Sequence, residues 1–244
     1  MRIVALYSIK GGVGKTAASV NLAWQSANVG YRTLLWDLDP QGATSYYFRI
    51  QPHLKGGVKT VLKKKLTEGI KATDYPGLDL LPADFTYRNL DLILDQQKKR
   101  KRTLEKVIER FTEDYDRIIL DCAPSISLVS ENIFRSADML LNPLIPSTLS
   151  IRTLDQLSAF LKASKLNDVR LLNFFSMVDR RRKLHRELMT ALSRQRVDIL
   201  ESAIPNSSVV ERMGIERRPV SSYAARSTPA VAYKDLWREI DQRL

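Results

Sequence analysis

Residues 10–16 read Lys10-Gly11-Gly12-Val13-Gly14-Lys15-Thr16, directly after the apolar run Ile3-Val4-Ala5-Leu6-Tyr7. An amphipathic stretch, Ala17–Asn28, follows. A buried strand thus runs through a glycine-rich turn into a helix, which is the order a triphosphate site requires. Glycines let backbone amides converge on phosphate oxygens without a Cβ in the way. The helix N-terminus adds its positive dipole end. In this pattern Lys15 reaches the β- and γ-phosphates and the Thr16 hydroxyl ligates Mg²⁺. The common loop G-x-x-x-x-G-K-[ST] wants glycine at position 9, where this chain has Ile9. It carries instead a second lysine, Lys10, just before the glycines.

Outward from this loop, short apolar runs alternate with helical patterns. The runs Arg2–Tyr7, Thr33–Trp36, Leu78–Leu81, Arg117–Leu120, Met139–Ile145, Arg170–Ser176 and a short one at Ala203–Ile204 read as strands. Lys15–Asn28, Val58–Lys65, Arg88–Phe111, Ser127–Arg135, Ile151–Lys165, Arg182–Arg194 and Pro229–Arg243 read as helices. Near-continuous apolar strands alternating with helices predict an α/β fold: a mostly parallel, twisted sheet with helices on both faces. Gly30 is the expected stop of the first helix, and Pro143 and Pro146 are expected to flank the end of the Met139 strand. With no internal repeat or low-complexity linker, residues 1–244 are expected to form one domain.

Two acidic clusters sit at strand ends, Asp37-Leu38-Asp39-Pro40-Gln41 and Asp121-Cys122-Ala123-Pro124-Ser125. In an open parallel sheet ligands bind beyond the carboxyl ends of strands, so Asp37, Asp39 and Asp121 can serve one Mg²⁺ and one attacking water. Mg²⁺ keeps most of its waters, so such carboxylates often act through them.

KGGVGKT with its leading lysine, then DLDPQG, then LDCAPS, resembles the deviant Walker A ATPases of the ParA/MinD group, the ParA branch in particular. The resemblance continues through Ser176–Arg180, Ile204-Pro205, Arg218–Val220 and Ala230–Tyr233 to Glu239. It implies a SIMIBI-type P-loop NTPase fold and an ATP-dependent homodimer sandwiching two nucleotides. Lys10 would cross to the partner's nucleotide, as an arginine finger does. Lys15 would hold the β/γ-phosphates, and Thr16, Asp37 and Asp121 would serve the metal. Asp39 would position the attacking water. Gly11, Gly12, Val13, Gly14 and Ala17 would complete the phosphate loop, and Met177, Asp179, Pro205, Asn206 and Ser207 would flank the adenine. The chain departs from the family at Ser8-Ile9, at Ala17 (a second threonine elsewhere) and at Ile-Pro-Asn-Ser, where Pro-Arg-Asn is common.

Composition narrows the setting. At 44% hydrophobic over 244 residues, the chain can bury a core without staples. Its single cysteine, Cys122, excludes a disulfide framework and suits a reducing cytosol. No signal pattern or membrane-length apolar run is present. A net charge of +12 fits contact with nucleic acid or anionic lipid. Lysines and arginines gather at Lys59–Lys65, at Lys98–Arg102, at Arg180, Arg181, Arg182, Lys183 and Arg186, and at Arg217 and Arg218. Each group also fits a solvated helix face or a helix C-terminus. ParA-like dimers bind DNA without sequence preference through basic C-terminal surfaces, so the resemblance points to the last two groups. The terminal stretch Tyr233–Leu244 has helical apolar spacing but is nearly neutral, which suits a packed helix over a lipid-inserting one. His53 and His185 read as solvated positions, Trp24, Trp36 and Trp237 as core or interface.

The expected function is therefore a cytoplasmic, nucleoid-associated ATPase of weak intrinsic activity. It would partition or position a plasmid, a chromosome origin or a protein organelle such as a carboxysome, with hydrolysis stimulated by a cargo adaptor. Because the first strand begins at Arg2, an N-terminal DNA-reading extension and self-repression of the operon are not expected. A membrane-based spatial regulator and a metabolic kinase or synthetase on the same fold are the alternatives.

Overall fold

The structure is a computed structural model describing residues 1–166 and 168–244. One eight-stranded sheet forms its centre, in the order β3-β4-β2-β5-β1-β6-β7-β8. Its strands are β1 (Arg2–Leu6), β2 (Thr33–Asp37), β3 (Lys71–Ala72), β4 (Leu78–Leu81), β5 (Arg117–Asp121), β6 (Met139–Leu144), β7 (Arg170–Val178) and β8 (Ile199–Pro205). All neighbours run parallel except the short edge strand β3, which pairs antiparallel with β4. The helices are α1 (Lys15–Asn28), α2 (Ala43–Tyr47), α3 (Leu90–Asp95), α4 (Thr103–Ile108), α5 (Leu128–Ser136), α6 (Thr148–Ala163), α7 (Lys183–Gln195), α8 (Ser208–Glu211), α9 (Met213–Glu216), α10 (Val220–Tyr223) and α11 (Thr228–Asp241).

The strand alternation divides the core into two layers. Ile3, Ala5 and Tyr7 of the first strand segment, with Leu34, Trp36, Ile118 and Leu120, pack under α3 to α6. Val4, Leu6, Leu35, Ile119 and Leu141 face the other way, onto α1 and α11. Both faces are covered, so the central strands are apolar throughout. Gly30, at φ 104°, ends α1 as the sequence predicts. Pro143 lies inside β6 instead of flanking it. Its pairing with β1 stops at Leu141, so the missing amide faces no partner there.

Several predicted elements differ. The helix expected over Arg88–Phe111 is broken into α3 and α4. Five consecutive cations, Lys98–Arg102, repel along a helix, and Asn132 caps the restart. Its Oδ1 accepts from Thr103 N (2.8 Å) and Leu104 N (3.2 Å), and its Nδ2 donates to the Arg100 carbonyl (2.7 Å). The helix expected over Val58–Lys65 is two 3₁₀ turns, Gly57–Thr60 and Lys64–Gly69. There Thr86 Oγ1 accepts from Val58 N (2.7 Å), and Thr60 Oγ1 donates to the Lys55 carbonyl (2.8 Å). Such side chain bonds compete with the helical ladder. β8 is longer than predicted, and β3, α2 and α8 to α10 are too short for a periodic signal.

Candidate functional site

The glycine loop leaves the end of β1, between β5 and β6 at the middle of the sheet. Gly12 and Gly14 have φ of 70° and 90°, and a Cβ on Gly14 would lie 2.8 Å from Ser176 Oγ. Gly14 is the N-cap of α1 and supplies no side chain. The first helical bond runs from Ala18 N to the Gly14 carbonyl (3.0 Å), so the amides of Lys15, Thr16 and Ala17 have no helical acceptor. Gly11, Gly12, Gly14, Lys15, Thr16 and Ala17 line one side of a cavity of about 350 Å³. Lys15 is buried, and its ammonium donates to the Lys10 carbonyl (3.3 Å). Burial pushes that ammonium's pKa down, opposed by Asp121, Cys122 and Asp39. Uncapped amides, a glycine cradle and a buried ammonium together fit a polyphosphate. Val13 is buried beneath the loop and does not line the cavity.

Tertiary pairing brings the aspartates together. β2 and β5 are in register with Asp37 opposite Asp121. Asp121 accepts from Ser19 Oγ (2.9 Å) on α1 and Thr44 Oγ1 (2.7 Å) on α2. Asp37 accepts from Ser45 N (2.8 Å), Ser45 Oγ (2.7 Å) and Asp39 N (3.3 Å). Burial, and next the charge of Asp121, pushes Asp37 up to about 7. Asp121 is also raised by burial, against hydrogen bonds from Thr44, Ser19 and Thr16. Of the three carboxylates only Asp39 lines the cavity.

Among the described residues, no three or more His, Cys, Asp or Glu are grouped to hold a metal. The Thr16 hydroxyl with the Asp121 carboxylate near it is a donor set that fits a Mg²⁺ arriving with phosphates and waters, since this ion needs few protein ligands. Thr16 offers its hydroxyl at the cavity wall, with Asp121 behind it.

The opposite wall includes Met177, Pro205, Asn206 and Ser207, together with Tyr47, Ser176, Ile204, Val210 and Tyr233. Met177 has a φ of 54°, a left-handed backbone that is strained for a non-glycine residue. Ser207 caps α8, its Oγ accepting from Val209 N (3.2 Å). Asp179 is not in this wall. Arg181 donates to it from Nε (2.9 Å) and Nη2 (3.0 Å), holding its carboxyl down at about 2. His185, expected in solvent, is buried, and its Nδ1 accepts from Asp179 N (3.1 Å). The missed wall residues are ordinary aromatic, aliphatic and hydroxyl types carrying no motif.

The two basic groups differ. Arg180, Arg181, Arg182, Lys183 and Arg186 are exposed at the β7–α7 turn. Arg181 is tied to Asp179, Lys183 pairs with Glu187 (3.6 Å), and Arg186 braces the turn through the carbonyls of Arg180 and Arg181. Arg217 and Arg218 are only half exposed and are committed locally. Arg217 Nε donates to the Tyr46 carbonyl (3.0 Å), with its guanidinium 4.4 Å over that ring, and Arg218 pairs with Glu216 (2.9 Å).

A family described as an AAA domain matches residues 1–173. This chain is similar to the sporulation initiation inhibitor protein Soj of Bacillus subtilis, at 29% identity over 98% of each chain. Its fold is similar to a putative plasmid partition protein from Borrelia burgdorferi bound to AMPPNP, with TM-score 0.86, 21% identity, and 100% and 99% of the chains covered. It is also similar to cobyrinic acid a,c-diamide synthase from Mycobacterium smegmatis with bound ATP analogue and magnesium. There the TM-score is 0.85 and the identity 24%, over 100% of this chain and 95% of that one.

Proposed function

This chain belongs to that AAA-domain family, within the ParA/MinD superfamily of P-loop ATPases, and on that premise we propose that it is a partition or positioning ATPase. Residues 1–244 act as one domain that binds ATP with Mg²⁺ and pairs with a second copy around two nucleotides. Non-specific duplex DNA holds the dimer on the nucleoid until an adaptor on the cargo stimulates hydrolysis.

Within each subunit the uncapped amides of α1 and the Lys15 ammonium hold the phosphates. Thr16 would ligate Mg²⁺, which would supply charge neutralisation at the phosphates. Asp37 and Asp121, held by the Ser45, Ser19 and Thr44 hydroxyls, would support it from behind. Asp39, the one of the three aspartates on the cavity wall, orients the attacking water and accepts its proton. The apolar wall around Met177, Pro205 and Tyr233 takes the base, with Asn206 and Ser207 at its polar edge.

Lys10 carries this reading. Its carbonyl serves Lys15, yet its side chain lies outside its own subunit's cavity wall and has no ion pair among the described residues. A second lysine that its own nucleotide does not need suits the nucleotide of a facing copy. Lys10→Ala is expected to leave ATP binding measurable while abolishing the ATP-dependent dimer in light scattering. A dimer that survives the change refutes this role. A fold-related synthetase would keep its oligomeric state, so the same variant separates the two readings.

For DNA, the exposed β7–α7 turn supports contact through Arg180, Arg182 and Lys183, the charges without a bidentate partner. Arbitrary duplex should bind only with ATP, with log K falling against log salt at about −0.9 per phosphate neutralised. In α11, Tyr233, Leu236, Trp237 and Ile240 are buried, which leaves it no free apolar face for lipid. No helix is long and apolar enough to cross a membrane among the described residues.

A further inference from the structure

Arg49 and Arg217 are two of the four non-glycine residues with a left-handed backbone among the described residues, at φ of 59° and 50°. Such a backbone strains any residue with a Cβ and suits glycine, so it gives no reason of its own for arginine at either place. The two side chains share a task instead, since each reaches a carbonyl in the last turn of the other's helix. Arg49 follows α2, and its Nη2 donates to the Glu216 carbonyl of α9 (3.0 Å). Arg217 follows α9, and its Nε donates to the Tyr46 carbonyl of α2 (3.0 Å), with the guanidinium 4.4 Å over the Tyr46 ring. Tyr46 completes the exchange, its hydroxyl donating to the Gly214 carbonyl (3.1 Å).

We propose that Arg49, Arg217 and Tyr46 form a clasp that holds two walls of the nucleotide cavity in one setting, and that the two arginines are positioning residues for hydrolysis. This role rests on the placing of Mg²⁺-ATP in that cavity. None of the three residues lines the cavity itself.

The clasped segments are the flanks of the site. On one side, the turn that carries Asp39 runs directly into α2: Gly42 N donates to the Asp39 carbonyl and Tyr46 N to the Gly42 carbonyl, both at 2.9 Å. α2 then gives Thr44 to Asp121, Ser45 to Asp37 and Tyr47 to the cavity wall. On the other side, Val210 and Glu211 of α8 line the cavity, and Arg212 leads straight into α9.

The two jaws are not equally fixed. α9 is anchored on α1, the helix of the phosphate loop. Met213 is buried, Asn21 Nδ2 donates to its sulfur (3.3 Å), and Asn21 Oδ1 accepts from Val220 N (2.8 Å). α2 has five residues, too few to set its own direction, so its contacts set it. Thr44 and Ser45 tie down its buried side, and the clasp crosses from its exposed side to α9. Opening the clasp therefore frees the helix that aims Asp39 and the two hydroxyls. A misplacement of about 1 Å at a reacting group is enough to slow chemistry about a hundredfold.

Glycine is the informative replacement, because it removes the side chain and relieves the left-handed backbone in one step. Arg49→Gly, Arg217→Gly and the double variant are compared with the unsubstituted protein in steady-state ATP hydrolysis with Mg²⁺, with circular dichroism alongside. Each single variant should stay folded and lose about fivefold or more in kcat, with KM within about twofold. The double variant should lose little more than the worse single one, since opening either half opens the clasp. Arg217→Lys, which keeps a cation over the Tyr46 ring, should recover part of kcat.

An unchanged kcat overturns the proposal, as does a rise in KM alone, which marks an ordinary binding contact. Losses that multiply independently in the double variant overturn it too, and so does a glycine variant that unfolds, which makes the arginine a structural brace. A duplex affinity that falls with Arg217→Gly while kcat holds gives that arginine to DNA and has the same effect. An unsubstituted protein that fails to hydrolyse ATP refutes the placing of the nucleotide, whereas normal hydrolysis by every variant refutes only the clasp. Light scattering on the same samples follows the ATP-dependent dimer separately.

Discussion

Replacing Gly14 by alanine perturbs the phosphate loop at its tightest point. Gly14 has a φ of 90° and a ψ of 19° at the N-cap of α1. Alanine in a left-handed backbone costs about 1–2 kcal/mol. The new Cβ would sit 2.8 Å from Ser176 Oγ, and relieving such an overlap in packed surroundings costs about 1–3 kcal/mol. Gly14→Ala should therefore lose roughly 2–5 kcal/mol in urea unfolding. The two contributions separate in a double-mutant cycle with Ser176→Ala, which removes the hydroxyl and leaves the backbone strain. The double variant should regain the overlap share and retain a deficit of about 1–2 kcal/mol. A Gly14→Ala loss below about 1 kcal/mol would show that the loop relaxes freely. A cycle with no coupling would show that Ser176 does not press on the loop. Either result refutes the rigid cradle on which the phosphate assignment depends.

Two further perturbations test the layers behind the cavity. Thr44→Val keeps the shape of the side chain but removes the 2.7 Å donor to buried Asp121. It should cost about 1–3 kcal/mol in urea unfolding and weaken Mg²⁺-ATP binding in calorimetry, and a variant as stable as the parent would contradict the hydroxyl network. Asp84 is raised by burial, but hydrogen bonds from Thr86 Oγ1, Leu54 N and Thr86 N outweigh this and hold its carboxyl below its ordinary 3.8. Its stabilising contribution is thus present above that ordinary value and is lost as pH falls through the depressed one. Asp84→Ala should cost about 2–4 kcal/mol at pH 7, from two or three lost charge-assisted bonds, and the gap to the parent should narrow below pH 4. A gap that widens on acidification would show the sign to be wrong.

The phosphate loop was legible because it is contiguous. Strand, glycines, lysine, threonine and helix follow one another, and each residue's role depends on its immediate neighbours. The parallel sheet was legible for a similar reason, since central strands buried on both faces must be apolar throughout. Short elements were not. β3 has two residues and α2 five, below the length at which a period shows. The Arg88–Phe111 helix failed because Asn132, far along the chain, supplies the cap that restarts it after the cationic run.

In the site, the same division holds at the level of single atoms. Residue types and spacing alone named Lys10, Lys15, Thr16 and three aspartates. The family resemblance had already divided those aspartates, and the tertiary structure supplies the physical basis: the β2–β5 register sets Asp37 beside Asp121, and hydroxyls from α1 and α2 close over them. The tertiary structure also moved Asp179 from the expected base pocket onto Arg181 and buried His185 behind it. Local motifs fix what a residue can do, since that chemistry belongs to the side chain and its near neighbours. Which side chains meet, and which face water, depends on how the backbone is set in three dimensions, whether across the chain, as for Ser19 and Asp121, or within one turn, as for Asp179 and Arg181. Those distances exist only once both layers have packed on the sheet.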